Sequence, residues 1–411
     1  MIRIISEEEA PTVLGRSVDR VGEAMGISAP IVADVRLRGD EALKEYRQRF
    51  DLVALDEPLY LDAGGELEAN LQQAVEQASR NIQSFAEAQL VTSWMSEFSD
   101  GRSLGQLVRP LNSVGVYVPA GRYPLISTLL MAVIPAQVAG VPNIVVACPH
   151  PSREILAVAK MLGVKQILHA GGAQAIGAMA YGTESVKPVQ RIVGPGNAYV
   201  AAAKKLVSQD VAIDFVAGPS EILIVASQGN AQWIAADMLA QAEHDVDARA
   251  ILLTTDKEFA LRVQAEIEIQ LSSLSTVQIA QRAIIDNSAI VVCDTTDSAF
   301  NLVNTIAPEH LSVEQKSDIE RVNSAGSIFV GQYSTEAAGD YASGPNHILP
   351  TSGNAAVRGG LSVNDFVKVI TVQELSKTAL RELEPAVTAL ARAEGLEAHA
   401  RSVETRNDAT A

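Results

Sequence analysis

The chain carries six histidines, and four of them lie in polar or carboxylate-flanked settings: AQAEH ending at His244, APEH at His310, GPNH at His347 and LEAH at His399. Imidazole titrates close to neutrality and is a common metal ligand, so these four are candidates for proton transfer or metal binding. Each also fits an ordinary surface or core histidine, and His150 and His169 are read that way. In DMLAQAEHDVDA, Gln241 and His244 stand three apart on a predicted helix, so their side chains would meet on one face and could grip one ion. Asp340, in GDYASGPNH, offers a hard oxygen and His399 another imidazole. Together these four make two nitrogen and two oxygen donors, a set zinc accepts, although glutamine is an unusual ligand and independent structural roles stay open. Glu309 and His310 are adjacent, after a proline and before the strand-like HLSV. A neighbouring carboxylate and imidazole suit two successive proton transfers: His310 could take a proton from an alcohol and return one later, and Glu309 could polarise a water. A helix-terminus pair meeting the backbone is the competing reading.

Two glycine-bearing stretches, GGAQAIGAMAYG (171–182) and GPGNAYVAAAKK (194–205), fall between a predicted strand and a predicted helix. There the backbone N–H groups can approach a phosphate, or the glycines can simply serve tight turns and close packing. Neither stretch is a G-x-G-x-x-G fingerprint, because Tyr199 stands where the last glycine would be. AGPSE (217–221) reads as a turn that could present Ser220 to a ligand.

These residues need elements to hold them. Residues 1–112 read as an amphipathic helical region, with LRGDEALKEYRQRF and ELEANLQQAVEQASRNIQSFAEAQL placing apolar residues three and four apart, and are expected to pack with the second α/β unit. From 113 to 221, β-branched runs such as VGVYV and NIVVAC alternate with Ala-rich helical runs, which predicts βαβ units and a parallel sheet. A second series of the same kind spans 222–360 and carries most of the zinc and acid/base candidates. The expected fold is therefore α/β, with two similar, incomplete Rossmann-like parallel-sheet domains. Residues 361–411 read as a small helical tail, preceded by the Gly-, Ser- and Pro-rich YASGPNHILPTSGNAAVRGG.

Composition removes several classes of function. With 411 residues, 47% hydrophobic and 20% charged, the chain has the make-up of a globular protein of two or three domains. Its 32 Lys and Arg against 49 Asp and Glu give a net charge of −17, a poor match for nucleic acid or an anionic membrane. No apolar run is long enough for a membrane span, and the first residues lack the pattern of a secretory signal, so a cytoplasmic protein is expected. Two cysteines, Cys148 and Cys293, are too few for a disulfide framework or a Cys-rich metal site.

Taken together, VGVYVPAG, GGAQAIGAMAYGTESV, VGPGNAYVAAAKKLVS, IDFVAGPSEILIVA, AQAEHD, APEHL, GDYASGPNHILPTSG, GLSVNDF and AEGLEAHA resemble the histidinol dehydrogenase family in order and spacing, over roughly residues 20 to 405. The resemblance implies oxidation of L-histidinol through L-histidinaldehyde to L-histidine, the last step of histidine biosynthesis, with two NAD reduced. It implies zinc on Gln241, His244, Asp340 and His399, and additional substrate contacts from Ser220, His347 and Glu394. It implies NAD contacts from Tyr117, Gln174 and Asn197, and the acid/base pair Glu309 and His310. It further implies a homodimer in which the tail crosses over, so that Glu394 and His399 enter the partner's active site.

One stretch departs from the family. After Pro119 the chain reads AGRYPLIST, where the family commonly has a second glycine and small residues in place of Arg122 and Tyr123. An arginine there could pair with an anionic group, which leaves a related zinc- and NAD-dependent dehydrogenase for another primary alcohol as the alternative. A metallohydrolase independent of NAD and a non-catalytic binding protein are the other readings. A thiohemiacetal route through Cys148 lacks a nearby base in the sequence, and Cys293 reads as a buried strand end.

Overall fold

The β-branched runs become short parallel strands. In a computed structural model of the chain, which describes residues 1–13, 20–119, 125–216 and 218–408, they assemble into two six-stranded sheets with helices on their faces. The first sheet orders its strands as Tyr60–Asp62, Gln166–Leu168, Asn143–Ala147, Ser113–Tyr117, Arg191–Val193 and Ala212–Ile213. Only Tyr60–Asp62 runs antiparallel to its neighbour. The second sheet runs Arg3–Ser6, Ala289–Val292, Arg249–Thr254, Glu221–Val225, His310–Val313 and Ser327–Val330, parallel throughout.

Parallel strands covered on both faces need apolar side chains on both, and the second sheet has them. Ile222, Ile224, Leu252 and Ile290 face one apolar layer with Phe259 and Met238, while Leu223, Leu253, Val291, Leu311 and Val313 face another with Phe300 and Val303. Because successive side chains alternate between faces, IILIV-type runs rather than polar alternation are what this arrangement requires.

The N-terminal stretch differs from its sequence-based reading. It is divided between the sheets: Arg3–Ser6 is the edge strand of the second, whereas the helices Arg20–Arg38 and Asp40–Asp51 pack on the helices Gly172–Tyr181 and Ala198–Val207 that flank the first. A four-residue strand is too short to display a period, so only its partner reveals it.

The chain forms two compact units, Met1–Gln89 with Leu111–Phe366, and Leu90–Pro110 with Val367–Ala411. In the second unit Val367–Leu375 pairs antiparallel along the whole of Arg102–Pro110, with Trp94–Glu97 on the other side. The helices Lys377–Ala393 and Glu397–Asp408 pack on each other. The tail is thus part strand: VKVITVQEL has the β-branched content for it, but its partner is far upstream in sequence.

Candidate active site

Tyr117, Gln174 and Asn197 all stand at the C-terminal edge of the first sheet, where open parallel sheets bind ligands. Tyr117 ends its strand, and its buried hydroxyl accepts the Gly172 N–H at 3.1 Å. Gln174 donates from Nε2 to Asp51 Oδ2 at 3.1 Å, and the Gly171 N–H donates to the same oxygen at 2.9 Å. A carboxylate therefore occupies the start of the helix Gly172–Tyr181, satisfying the Gly171 N–H that would otherwise be orphaned. Asn197 caps the helix Ala198–Val207, its Oδ1 accepting from the Tyr199 and Val200 N–H groups at 3.1 Å each. The loop before it needs glycine: Gly194 has φ +114°, and a Cβ there would strike the Tyr117 carbonyl oxygen. A buried ion pair, Lys204 with Asp214, clamps this loop, since Lys204 donates to the Gly194 carbonyl at 2.9 Å and Asp214 accepts the Gly194 N–H at 2.8 Å.

The acid/base candidates stand at the opposite kind of edge. Glu221 and His310 begin adjacent strands of the second sheet, with Ile222 paired to His310, so they lie at its N-terminal edge. In chain order, Ile213 ends the last strand of the first sheet and Glu221 begins a strand of the second, with Ser220 immediately before it.

Glu309 and His310 are both buried, at 5% and 4% exposure. Glu309 Oε2 accepts the Glu221 N–H at 2.8 Å. His310 Nδ1 lies 3.2 Å from the Glu221 carbonyl, 3.3 Å from Glu336 Oε1 and 3.7 Å from Glu309 Oε2. His310 Nε2 lies 3.6 Å from Asp340 Oδ1, an ion-pair separation rather than a hydrogen bond. Burial pushes the Glu309 and Glu336 carboxyls well above the usual carboxylate range, against the pull of His310. Burial also works against the His310 cation, but Glu336, Glu309 and Asp340 outweigh it and raise its pKa. In Asp340 the upward push of burial is outweighed by the neighbouring His310, and its pKa falls.

Asp340 joins this pair to the metal candidates. Its Oδ2 lies 4.0 Å from His244 Nε2, and its backbone carbonyl lies 2.7 Å from His347 Nδ1. The helix Ala231–Ala242 carries Gln241 and packs on the helix Glu336–Tyr341 that carries Asp340. That helix ends before His244, so Gln241 and His244 are not on one helical face as the spacing predicts; the chain turns, and the His244 N–H donates to the Gln241 carbonyl at 3.3 Å. Gln241 is 1% exposed, and neither side-chain amide atom has a hydrogen-bond partner. A buried amide oxygen without a donor costs about 1–3 kcal/mol, and a cation beside Asp340 and His244 would remove that cost. The donor set gathered here, amide oxygen, imidazole and carboxylate, fits a divalent ion such as zinc.

Among the described residues one group also presents three ligand atoms within 4.8 Å of one another, His310, Glu336 and Asp340. Glu336 is not among the residues that the sequence marks as candidates. Its signal was available, because it stands four residues before Asp340 on one helix and so shares that face. Asp51, Glu221, Lys204 and Asp214 had no such signal, since each is defined by partners distant in sequence.

Glu394 and His399 belong to the second compact unit. There Glu394 closes the helix Lys377–Ala393, and the His399 N–H donates to the Leu396 carbonyl at 3.0 Å. Arg122 and Tyr123 lie outside the described residues. Cys148 is fully buried, and burial pushes its thiol up to about 12, which leaves no thiolate for nucleophilic attack near neutral pH.

A family model described as histidinol dehydrogenase matches residues 15–407. A histidinol dehydrogenase of Geobacillus kaustophilus is 48% identical over 391 residues, covering 92% of this chain and 92% of its own. One of Halalkalibacterium halodurans is 47% identical over 391 residues with the same coverage of 92% and 92%. The crystal structure of a histidinol dehydrogenase from Elizabethkingia anophelis matches with TM-score 0.94 at 36% identity, covering 98% of each chain.

Proposed function

The chain belongs to the histidinol dehydrogenase family, and from that premise we propose that it oxidises L-histidinol to L-histidine through L-histidinaldehyde, with NAD as the hydride-accepting co-substrate. It is a biosynthetic oxidoreductase. The observation that carries the chemistry is the buried Glu309–His310 pair, whose free imidazole nitrogen faces Asp340.

His310 Nε2 takes the alcohol proton as hydride leaves the carbinol carbon. The aldehyde then adds water, which Glu309 deprotonates while its Oε2 stays tethered to the Glu221 N–H. After releasing its first proton, His310 takes the hydroxyl proton of the hydrate, the second hydride leaves, and the carboxylate remains. Zinc, held by Gln241, His244, Asp340 and His399, would supply a positive anchor for the substrate imidazole and amine, orienting the reacting carbon. Ser220, His347 and Glu394 would complete the substrate's surroundings. Tyr117, Gln174 and Asn197 would shape the edge on which NAD lies.

We place Glu394 and His399 in the active site of the partner within a homodimer. Supporting a second copy, the smaller unit leaves Trp94, Met95, Phe98, Val369, Ile370 and Leu390 exposed, more large apolar surface than a small unit usually leaves to water. No described helix is long and apolar enough to cross a membrane, and the two free, buried cysteines agree with a cytoplasmic setting.

The test is NADH formed per L-histidinol consumed by metal-loaded protein, beside a chelator-treated control. The reading expects two, abolished by chelation and restored by zinc. No NADH from histidinol, with NADH from another primary alcohol, would replace the substrate. Metal analysis of His310→Asn and His399→Asn separates the two ligand sets: loss of metal only in His399→Asn supports the set above, and loss in His310→Asn would move the metal to His310, Glu336 and Asp340.

A further inference from the structure

His310 has two ring nitrogens in unlike surroundings. Nδ1 faces the Glu221 carbonyl at 3.2 Å and the Glu336 carboxylate at 3.3 Å. A backbone carbonyl only accepts hydrogen bonds, so the neutral ring keeps its hydrogen on Nδ1, toward the Glu221 carbonyl, and its lone pair on Nε2. Nε2 has no hydrogen-bond partner and points to the side of Asp340.

Glu336 has no other evident employment. Both its carboxylate oxygens are buried and accept no hydrogen bond, unlike Glu309, which is tethered to the Glu221 N–H. A carboxyl group kept out of water without hydrogen-bond partners is costly whether charged or neutral, so its position against His310 calls for a reason beyond packing. The site is also stiffly built. Thr335 caps the turn that carries Glu336, its hydroxyl accepting the Ala338 N–H at 3.3 Å. Gly339 on the same helix lies so close to the Phe329 ring that a Cβ would overlap it, and that ring sits 5.9 Å from the His310 ring, tilted by 35°. His310 is thus held between Phe329 beside its ring and Glu336 behind its Nδ1.

We propose that Glu336 is the positioning residue of the acid/base pair, fixing the ring orientation and tautomer of His310 so that Nε2 is presented to the substrate hydroxyl. This rests on His310 being the proton acceptor of the proposed reaction. It parallels the general device in which a buried carboxylate orients a catalytic imidazole through its far nitrogen.

The experiment compares wild type, Glu336→Gln and Glu336→Asp, each metal-loaded, for kcat, for KM toward histidinol and NAD, for metal content and for the His310 ring-nitrogen NMR signals. In Glu336→Gln, kcat should fall about a hundredfold or more, with both KM values and metal content near wild type and the His310 ring-nitrogen signals shifted from their wild-type positions. Glu336→Asp keeps the carboxylate and should recover part of the loss. Full turnover in Glu336→Gln beside an active wild type overturns this assignment alone, and so does a variant whose turnover falls only in step with its metal content. A wild type that forms no NADH from histidinol overturns the functional reading and this assignment together.

Discussion

Four residues set the proposed chemistry: Glu309 and His310 as the proposed proton carriers, Asp340 between them and the metal candidates, and Gln241 with a buried amide that lacks a partner. His310→Asn keeps a similar volume but loses the proton-accepting nitrogen. It should bind NAD and zinc as wild type does, while kcat falls by about a hundredfold or more, measurable by steady-state NADH formation. Cysteine chemistry is predicted to be dispensable. Cys148→Ala should retain turnover, and neither cysteine should react with a thiol reagent in the folded protein at pH 7, because burial holds both thiols near 12. Labelling of Cys148 that tracks inactivation would reverse that view. At this scale the sequence was informative about residue type. APEH and AQAEH supply candidate side chains that the structure gathers around Asp340, whereas the place of Glu336 against His310 is a contact between elements that its spacing from Asp340 alone does not reveal.

Elements decide which side chains can meet. The glycine-bearing turns at 171–172 and 194–197 each precede a helix, but in neither is the helix start open: Asp51 occupies the first, and the Asn197 side chain caps the second. The second turn is the more fragile, since it is pinned by a buried Lys204–Asp214 pair. Lys204→Met leaves Asp214 buried without its counter-charge and should cost about 3–5 kcal/mol of stability, read from chemical denaturation. At temperatures where the variant is still folded, its KM for NAD should rise more than its KM for histidinol, because the displaced loop carries Asn197. An unchanged KM for NAD would detach Asn197 from the nucleotide. Strand and helix types were readable here from β-branched runs and Ala-rich periodicity. Their partners were not, and so Arg3–Ser6 and Val367–Leu375 emerged only as pairs with strands remote in sequence.

The whole molecule places two parallel sheets in one compact unit and gathers a second compact unit from two separated segments. If the active site combines the core of one protomer with the tail of its partner, two inactive variants can complement each other. Co-expressed His310→Asn and His399→Asn chains should regain about a quarter of wild-type activity, since half of randomly paired dimers carry one intact site. No recovery from demonstrably mixed dimers would return Glu394 and His399 to their own protomer. Bound metal should also raise the melting temperature, because an ion that binds only the folded state stabilises it. Chelation should lower it in wild type and leave His399→Asn unmoved.

The sequence by itself determined the fold class, the family and the types of residue available for catalysis, because periodicity, turn chemistry and motif order are local and survive without coordinates. Only the tertiary structure decided that Glu309 and His310 stand at the N-terminal edge of their sheet, that Glu336 faces His310, and that Asp51 and the Lys204–Asp214 pair hold the glycine-bearing loops before two helices. The reason is physical: a side chain's protonation, exposure and partners depend on what surrounds it in space, and residues brought together by strand pairing from opposite ends of a chain leave no spacing to read.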